Sequence, residues 1–174
     1  MSEGIVSIRK FAAEDIPNKV RWINDENNNQ FLHYDLPLKV ENTAVWFEKN
    51  KDRTDRYDAV IEYNGAPVGI IGLLSIKDGE AEYYVTLGES KLKGKGIAGK
   101  ATRLLLEYAY QQLKLKVVYL YTETENYSAQ RLFEKMGFEK ISVAEKSAIN
   151  RGKLVDRYFY KICLEEYFAA YEVK

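Results

Sequence analysis

Apolar residues change their spacing several times along the chain, and each change marks an element. "IVSIRKF" (5–11) alternates apolar and polar positions and predicts a strand. In "AAEDIPNKVRWINDE", Ile16, Val20 and Ile23 fall at helical spacing, with Pro17 in the first turn, where proline is tolerated. Residues 24–37, rich in Asn and Asp, predict a loop, and 40–51 predict a second helix with Val40, Ala44 and Phe47 on one face. The period then drops to two. "RYDAVIEY" and "PVGIIGLLSI" predict strands joined by a hairpin at Asn64-Gly65, and "KDGEAEYYVTL" repeats the arrangement through Asp78-Gly79. Three strands are therefore antiparallel neighbours. Ile97, Ala101, Leu104, Leu105 and Tyr108 share a face and make 97–114 the clearest helix in the chain. "KVVYLYTET" (116–124) predicts an apolar strand lying parallel to the strand before that helix, joined to it by a right-handed crossover. A helix over 127–136 stops at Gly137. Two strands near 138–147 and 153–163 meet at the turn Asn150-Arg151-Gly152, and "LEEYFAAYEVK" predicts a short terminal helix.

Between the antiparallel strands and the clearest helix lies "KGKGIAGK", Lys93 to Lys100, which fits several phosphate-binding patterns. Gly94, Gly96 and Gly99 spell G-x-G-x-x-G; Gly94 and Gly99-Lys100 spell G-x-x-x-x-G-K. Lys93, Gly96 and Ala98 also fit the basic-x-x-G-x-[G/A] loop that grips the pyrophosphate of coenzyme A. Backbone N–H groups at a helix start hold an anion of any kind, so the surroundings must choose. A nucleotide P-loop needs Ser or Thr directly after the lysine to hold magnesium; Ala101 stands there, with Thr102 one step late, and "GESKLK" separates the loop from Leu87. A dinucleotide fold wants a parallel sheet and an acidic residue about 20 positions on. Glu123 is a loose candidate for that residue, but the upstream hairpins make the sheet antiparallel. A merely flexible glycine-rich loop is the bland alternative.

Composition narrows the partners. At 174 residues the chain suits one domain, 1–174, with a full core. Lys plus Arg and Asp plus Glu each number 26, so no global field points to nucleic acid or an anionic membrane. Cys163 is the sole cysteine and His33 the sole histidine, which removes a disulfide framework and leaves no metal cluster to expect. The N-terminus lacks a basic-then-apolar leader and no apolar run approaches about 18 residues, so the expectation is a soluble, cytoplasmic protein. The 14 tyrosines suit amphipathic strand packing and the lining of a cleft for a polar ligand.

From the first strand through "TENYSAQRLFEKMGFEKI" the sequence resembles the GNAT superfamily of acetyl-CoA-dependent N-acetyltransferases. The predicted order β-α-α-β-β-β-α-β-α-β-β is that family's order. "LKGKGIAGKA" looks like its pyrophosphate loop, with Lys93 where the family usually has Arg or Gln. "ENYSAQRLFEKMGF" looks like its second signature, N-x-x-[A/S]-x-x-L-x-x-x-x-G-F, met by Asn126, Ala129, Leu132, Gly137 and Phe138. "RWINDENNNQFL" and "INRGKLVDRYFY" further resemble the branch that contains ribosomal-protein N-terminal, spermidine and amino-sugar acetyltransferases. The resemblance implies an α/β (α+β) fold with a mixed, mostly antiparallel six- to seven-stranded sheet flanked by helices. It also implies a splayed parallel strand pair at the cofactor loop, acetyl-CoA as cosubstrate without a metal, and a homodimer by analogy.

The resemblance assigns roles as well. Backbone groups near Val85 and Leu87 would meet the pantetheine amides, and the N–H groups of Lys93, Gly94, Lys95, Gly96, Ile97 and Ala98 would cap the pyrophosphate. Asn126 would touch the cofactor near its thiol, and it is equally well placed to cap the following helix. An amine acceptor must lose a proton, the developing oxyanion must be stabilised and the leaving thiolate protonated. Glu82 is the candidate base, with Glu80 and His33 in reserve. The acid is where the chain departs from the family: many relatives carry a tyrosine where Phe133 stands, close to the sulfur. Tyr127 and Ser128 offer nearby hydroxyls in an offset register, and Tyr127 is carried as the catalytic candidate; Tyr83, Tyr84, Tyr158, a water or no acid at all are the other options. Asn28, His33, Tyr34 and Tyr158 are expected around the acceptor. That acceptor is a small amine or amino sugar, a peptide N-terminus or a polyamine, and a catalytically silent acyl-CoA-binding module is the rival class.

Overall fold

Two-residue turns set the sheet. Asn64 and Gly65 have φ of 53° and 82°, Asp78 and Gly79 of 53° and 79°, and Arg151 and Gly152 of 51° and 78°. Positive φ at both central residues gives the turn whose twist matches antiparallel strands, so each pair folds a hairpin. The computed structural model describes residues 4–172. In chain order these form β1 (Val6–Lys10), α1 (Ile16–Asn24), α2 (Val40–Asn50), β2 (Tyr57–Tyr63), β3 (Ala66–Lys77) and β4 (Glu80–Leu87). They continue with α3 (Ile97–Gln111), β5 (Val117–Glu123), α4 (Tyr127–Met136), β6 (Glu139–Asn150), β7 (Lys153–Cys163) and α5 (Leu164–Glu172). Short 3₁₀ turns at Ala13–Asp15 and Ser90–Leu92 precede α1 and α3.

The sheet has seven strands in the order β1-β2-β3-β4-β5-β7-β6. Every neighbouring pair is antiparallel except β4 and β5, which run parallel. That pair is joined only through Glu80, Ala81 and Glu82 opposite Val117, Val118 and Tyr119. Beyond Glu82 the two strands part. The mixed α+β architecture and the parallel pair at the glycine loop agree with the expectation from sequence, and the strand count settles at its upper value.

Most element ends fall within a few residues of their predicted places. The long helix is shorter than its apolar pattern, ending at Gln111 rather than 114. Lys114 there takes a φ of 56°, and the Leu115 N–H donates to the Ala109 carbonyl at 2.9 Å, turning the chain toward β5. Leu113 packs against the core from this turn, so its contribution to the helical pattern was a tertiary contact. Among the described residues no helix is long and apolar enough to cross a membrane.

Each face of the sheet carries its own core. On one, Ala101, Leu105, Leu106 and Ala109 of α3, with Phe133 of α4 and Leu164 and Phe168 of α5, pack on Ala59, Ile61, Ile71, Leu73, Ala81, Tyr83, Val118 and Leu120. On the other, Ile16, Trp22 and Ile23 of α1, joined by Phe47 of α2, pack on Phe11, Val60, Ile70 and Tyr84. Strand β4 thus sends Tyr83 toward α3 and Tyr84 toward α1, the period-two alternation that its sequence shows.

Where β4 ends, Gly88 lies directly under the buried Trp22 indole. A Cβ at Gly88 would sit 2.1 Å from Trp22 Cγ, whereas one at Gly99 would meet nothing nearer than Met136 Sδ at 3.4 Å. Gly88→Ala should therefore cost about 1–3 kcal/mol by overpacking, while Gly99→Ala should be neutral or slightly stabilising. Urea denaturation of both variants checks the contrast.

Candidate active site

The parting of β4 and β5 leaves a cavity of about 790 Å³ that the glycine loop, α4 and the loop after α1 all reach. Its backbone wall follows from register. Gly88 N–H donates to the Val68 carbonyl at 2.8 Å, and the same ladder pairs Leu87 with Gly69, Thr86 with Ile70 and Val85 with Ile71. Hydrogen-bonded and non-hydrogen-bonded pairs alternate in an antiparallel ladder. Thr86 and Tyr84 therefore spend their N–H and C=O on β3, and those of Tyr83, Val85 and Leu87 point the other way, into the gap that β5 has vacated.

At the mouth of this gap α3 begins. Gly94 and Gly96 have φ of 85° and 78°, and Gly96 is the N-cap. The left-handed conformation at the N-cap is open to glycine without strain. The Gly96 carbonyl accepts the first helical bond, from Lys100 N–H at 3.1 Å. By the geometry of any α-helix, the N–H groups of Gly96, Ile97, Ala98 and Gly99 then have no partner within it. Gly94 and Gly96 to Gly99 line the cavity, so these dipoles form an anion site at its rim. Lys93 adds charge and reaches across to the Asn27 carbonyl, to which Nζ donates at 3.2 Å. Lys95 is exposed and does not line the cavity.

Helix α4 supplies the opposite wall with Asn126, Ser128, Ala129, Leu132 and Phe133. Asn126 Oδ1 accepts from Ala129 N–H at 3.3 Å, a helix N-cap, which leaves its amide hydrogens for the cavity. Phe133 is buried edge-on against Tyr83, ring centroids 5.8 Å apart. The hydroxyls near this wall can be sorted by their partners. Thr102 donates to the Ala98 carbonyl at 2.7 Å, so its one hydrogen is spent and Tyr83, 2.6 Å away, must donate to it. Tyr84 donates to Asp58 Oδ1 at 2.5 Å. Tyr127 is 64% exposed and lies outside the lining, as does Tyr158, whose ring carries the Lys140 ammonium 4.0 Å from its centre. Ser128 is the remaining hydroxyl on this wall.

The other side of the gap belongs to the face of α1. Glu82 is half-buried there, and burial raises its carboxyl above the usual range, with the nearby Arg157 charge opposing the rise. His33 and Tyr34 line the same region. Asn28 lines it while its Nδ2 donates at 3.0 Å to the carbonyls of both Trp22 and Gly88, tying the loop to the end of β4. A polar clasp holds this loop shut against the β6–β7 turn. Glu123, 8% exposed, is bonded to His33 Nε2 at 2.8 Å and accepts from Asn150 Nδ2 at 2.7 Å. Asn150 Nδ2 and Arg151 Nη1 each also donate to the Gln30 carbonyl at 2.8 Å, and Arg151 Nη2 to Asn29 Oδ1 at 2.9 Å.

The structure thus brings Glu82, Val85, Leu87, Lys93, Gly94, Gly96, Ile97, Ala98, Asn126, Phe133, Asn28, His33 and Tyr34 around one cavity. Sequence reasoning missed Arg157, Tyr121 and the clasp role of Glu123, which it weighed only as a ribose carboxylate under a rejected pattern. Among the described residues no group of His, Cys, Asp and Glu is placed to hold a metal ion.

Removing the clasp's acceptor strands two donors. Glu123→Leu is expected to lower stability by about 1–3 kcal/mol and to speed amide exchange over residues 29–33, whereas Glu123→Gln, which can still accept from Asn150, should lose less. Denaturation with hydrogen-exchange mass spectrometry reads both effects.

Comparison with known proteins agrees with this fold. A family model described as an acetyltransferase (GNAT) domain matches residues 6–139. The spermidine N(1)-acetyltransferase of Escherichia coli K12 is 27% identical over 140 residues, covering 76% of this chain and 72% of its own. The uncharacterised N-acetyltransferase p20 of Bacillus licheniformis is 21% identical over 169 residues, 93% of this chain and 94% of its own. Among solved structures, the Vibrio cholerae spermidine N-acetyltransferase in complex with CoA and spermine superposes with a TM-score of 0.86 at 20% identity, over 94% of this chain and 98% of that one.

Proposed function

The chain belongs to the GNAT acetyltransferase family and is an acetyl-CoA-dependent N-acetyltransferase, and from that premise we propose that residues 1–174 form one domain acetylating the primary amine of a small molecule. One observation carries the reading: a single gap in the sheet has helix N–H dipoles at one rim and a half-buried carboxylate, Glu82, at the other.

The residues present fit the cosubstrate. The open N–H groups of Gly96 to Gly99 suit a pyrophosphate. The N–H and C=O groups of Tyr83, Val85 and Leu87 offer an extended edge, to which a pantetheine arm can add as a further strand would. Acetyl-CoA supplies an acyl group already activated as a thioester. The chain's own work is then to orient, to take a proton and to steady charge. Glu82 takes the proton from the acceptor ammonium, directly or through a water, and its raised pKa makes it a better base than an exposed carboxylate. N–H groups in the gap are the donors available to a developing oxyanion. With the Tyr83 and Tyr84 hydroxyls committed, the acid is left to another lining hydroxyl such as Ser128 or Tyr121, to a water, or to none, and an ordinary thiol pKa of about 8.5 makes the last workable.

The clasp over residues 27–34 favours a small acceptor over a folded protein's terminus, because the β6–β7 turn is bonded across that side of the cavity. A polyamine is the second reading. It is supported by the Escherichia coli relative, a spermidine N(1)-acetyltransferase, and by the Vibrio cholerae enzyme's complex with spermine.

Release of free thiol from acetyl-CoA, followed across a panel of amines, tests the function; acetyl-CoA binding without release from any amine would instead indicate a silent binding module. Glu82→Gln should lower kcat about 10²–10⁴-fold, the usual range for a lost general base. Because the base must be ionised, the wild-type rate should fall as pH drops through the Glu82 pKa, and this acidic limb should lie above the ordinary carboxylate range. Phe133→Tyr should not reduce turnover severely. Normal rates in both variants would remove Glu82 from the mechanism.

A further inference from the structure

Arg157 is built into the wall of the cavity on the side of Glu82, and its setting is specific. It lies on β7 directly opposite Glu123 of β5, and Phe159 lies opposite Tyr121, so these four side chains share a face of the sheet. The guanidinium is fixed on three counts. Nε donates to Ser147 Oγ at 2.9 Å, Nη2 donates to the Ser147 carbonyl at 3.0 Å, and the group stacks 4.5 Å from the centre of the Tyr121 ring. Both hydrogen bonds go to β6, behind the cavity. Nη1 makes no hydrogen bond to a described residue, and Arg157 lines the cavity together with Tyr121, Thr122, Glu123, His33 and Glu82.

The charges around this region do not suit a purely cationic acceptor. Glu123 is engaged by His33 and Asn150, and Asp58, on the far side of Tyr84, is held bidentate by Arg56 at 2.7 and 2.9 Å. Among the described residues Glu82 is therefore the one carboxylate lining the cavity that is not committed elsewhere, and Arg157 stands near enough to influence it. A polyamine needs several carboxylates along its length. This wall presents one carboxylate and one rigid guanidinium with unused donors, an arrangement that complements a molecule bearing both an amine and an oxyanion.

Resting on the transferase reading above, we propose that Arg157 is the specificity residue of the acceptor site, and that the acceptor carries a carboxylate or phosphate which Arg157 binds while its amine is presented to Glu82. The guanidinium is already held by Ser147 and by the Tyr121 ring, so little side-chain freedom is lost when the anion arrives. Both groups then discriminate: an acceptor without the anion leaves the Arg157 donors unmatched, and one with a second ammonium in its place is repelled.

The test compares matched acceptors in the thiol-release assay: glycine against glycinamide, glucosamine 6-phosphate against glucosamine, and spermidine alone. Wild-type kcat/KM should favour the anionic member of at least one pair by about 10- to 100-fold, the range expected for a charge-assisted hydrogen bond, and spermidine should fall below it. The pair that responds tells carboxylate from phosphate. In Arg157→Gln the ratio within that pair should collapse toward one, chiefly through KM for the acceptor, and Arg157→Lys should restore part of it. Thermal melts of both variants verify folding. A preference for spermidine or for the neutral member of each pair overturns the inference and leaves the transferase reading standing. So does a fall in kcat that is equal for both members, which would make Arg157 a positioning residue for Glu82. Absence of turnover with every amine, acetyl-CoA being bound, overturns both.

Discussion

A parallel ladder only three residue pairs long, Glu80 to Glu82 against Val117 to Tyr119, governs the rest of the molecule. Each strand of this pair has a longer commitment on its other side, β4 to β3 through Leu87 and β5 to β7 through Glu123. When the two part, the backbone groups of Tyr83, Val85 and Leu87 face space that no strand fills, and buried backbone groups require partners. A right-handed crossover must also leave β4 at the end where the gap opens, so the N-terminus of α3 arrives at its mouth. An unpaired strand edge and an uncapped helix start are ordinarily defects. Brought together, they form a slot with donors and acceptors along one wall and positive dipole at one end.

The two cores divide the remaining work. Residues of β4 with odd numbers from Ala81 to Val85 look toward α3 and α4, and Tyr84 looks toward α1. Glu82 shares the parity of Tyr84. A gap between strands is open to both faces, so one ligand can enter along the α3–α4 side while a second approaches from the α1 side, with β4 as the common border. Glu82 therefore lies on the opposite face of the strand from α3 and α4.

Much of this was legible in the chain. Asn-Gly, Asp-Gly and Arg-Gly pairs predicted the hairpins because few residues accept positive φ, the apolar period predicted α3, and Gly137 marked the end of α4. The anion loop was legible because Gly96 is needed for a backbone conformation, and Ala101 in the magnesium position excluded the nucleotide alternative. Gly99, which created the rival motif matches, has ordinary φ and room for a methyl group beside Met136. What stayed hidden depends on pairing between distant segments. Nothing local marks Glu123 as the partner of His33, or Arg157 as a side chain lining the same cavity as Glu82, since both facts depend on the register of β5 against β7. The tyrosine hydroxyls were ambiguous for the same reason: whether Tyr83 can give up its proton is decided by Thr102, a turn into α3, and by what Thr102 has already donated.

The clasp between the loop after α1 and the β6–β7 turn joins residues 120 to 122 positions apart. Contacts of that span are slow to close, because a long loop's entropy must be lost before they form. During synthesis the loop at residues 27–34 is out of the ribosome long before Asn150 and Arg151 exist, and the family match ends at residue 139, ahead of them both. The cofactor slot can thus take shape from chain already made while the wall facing the amine waits for the final hairpin.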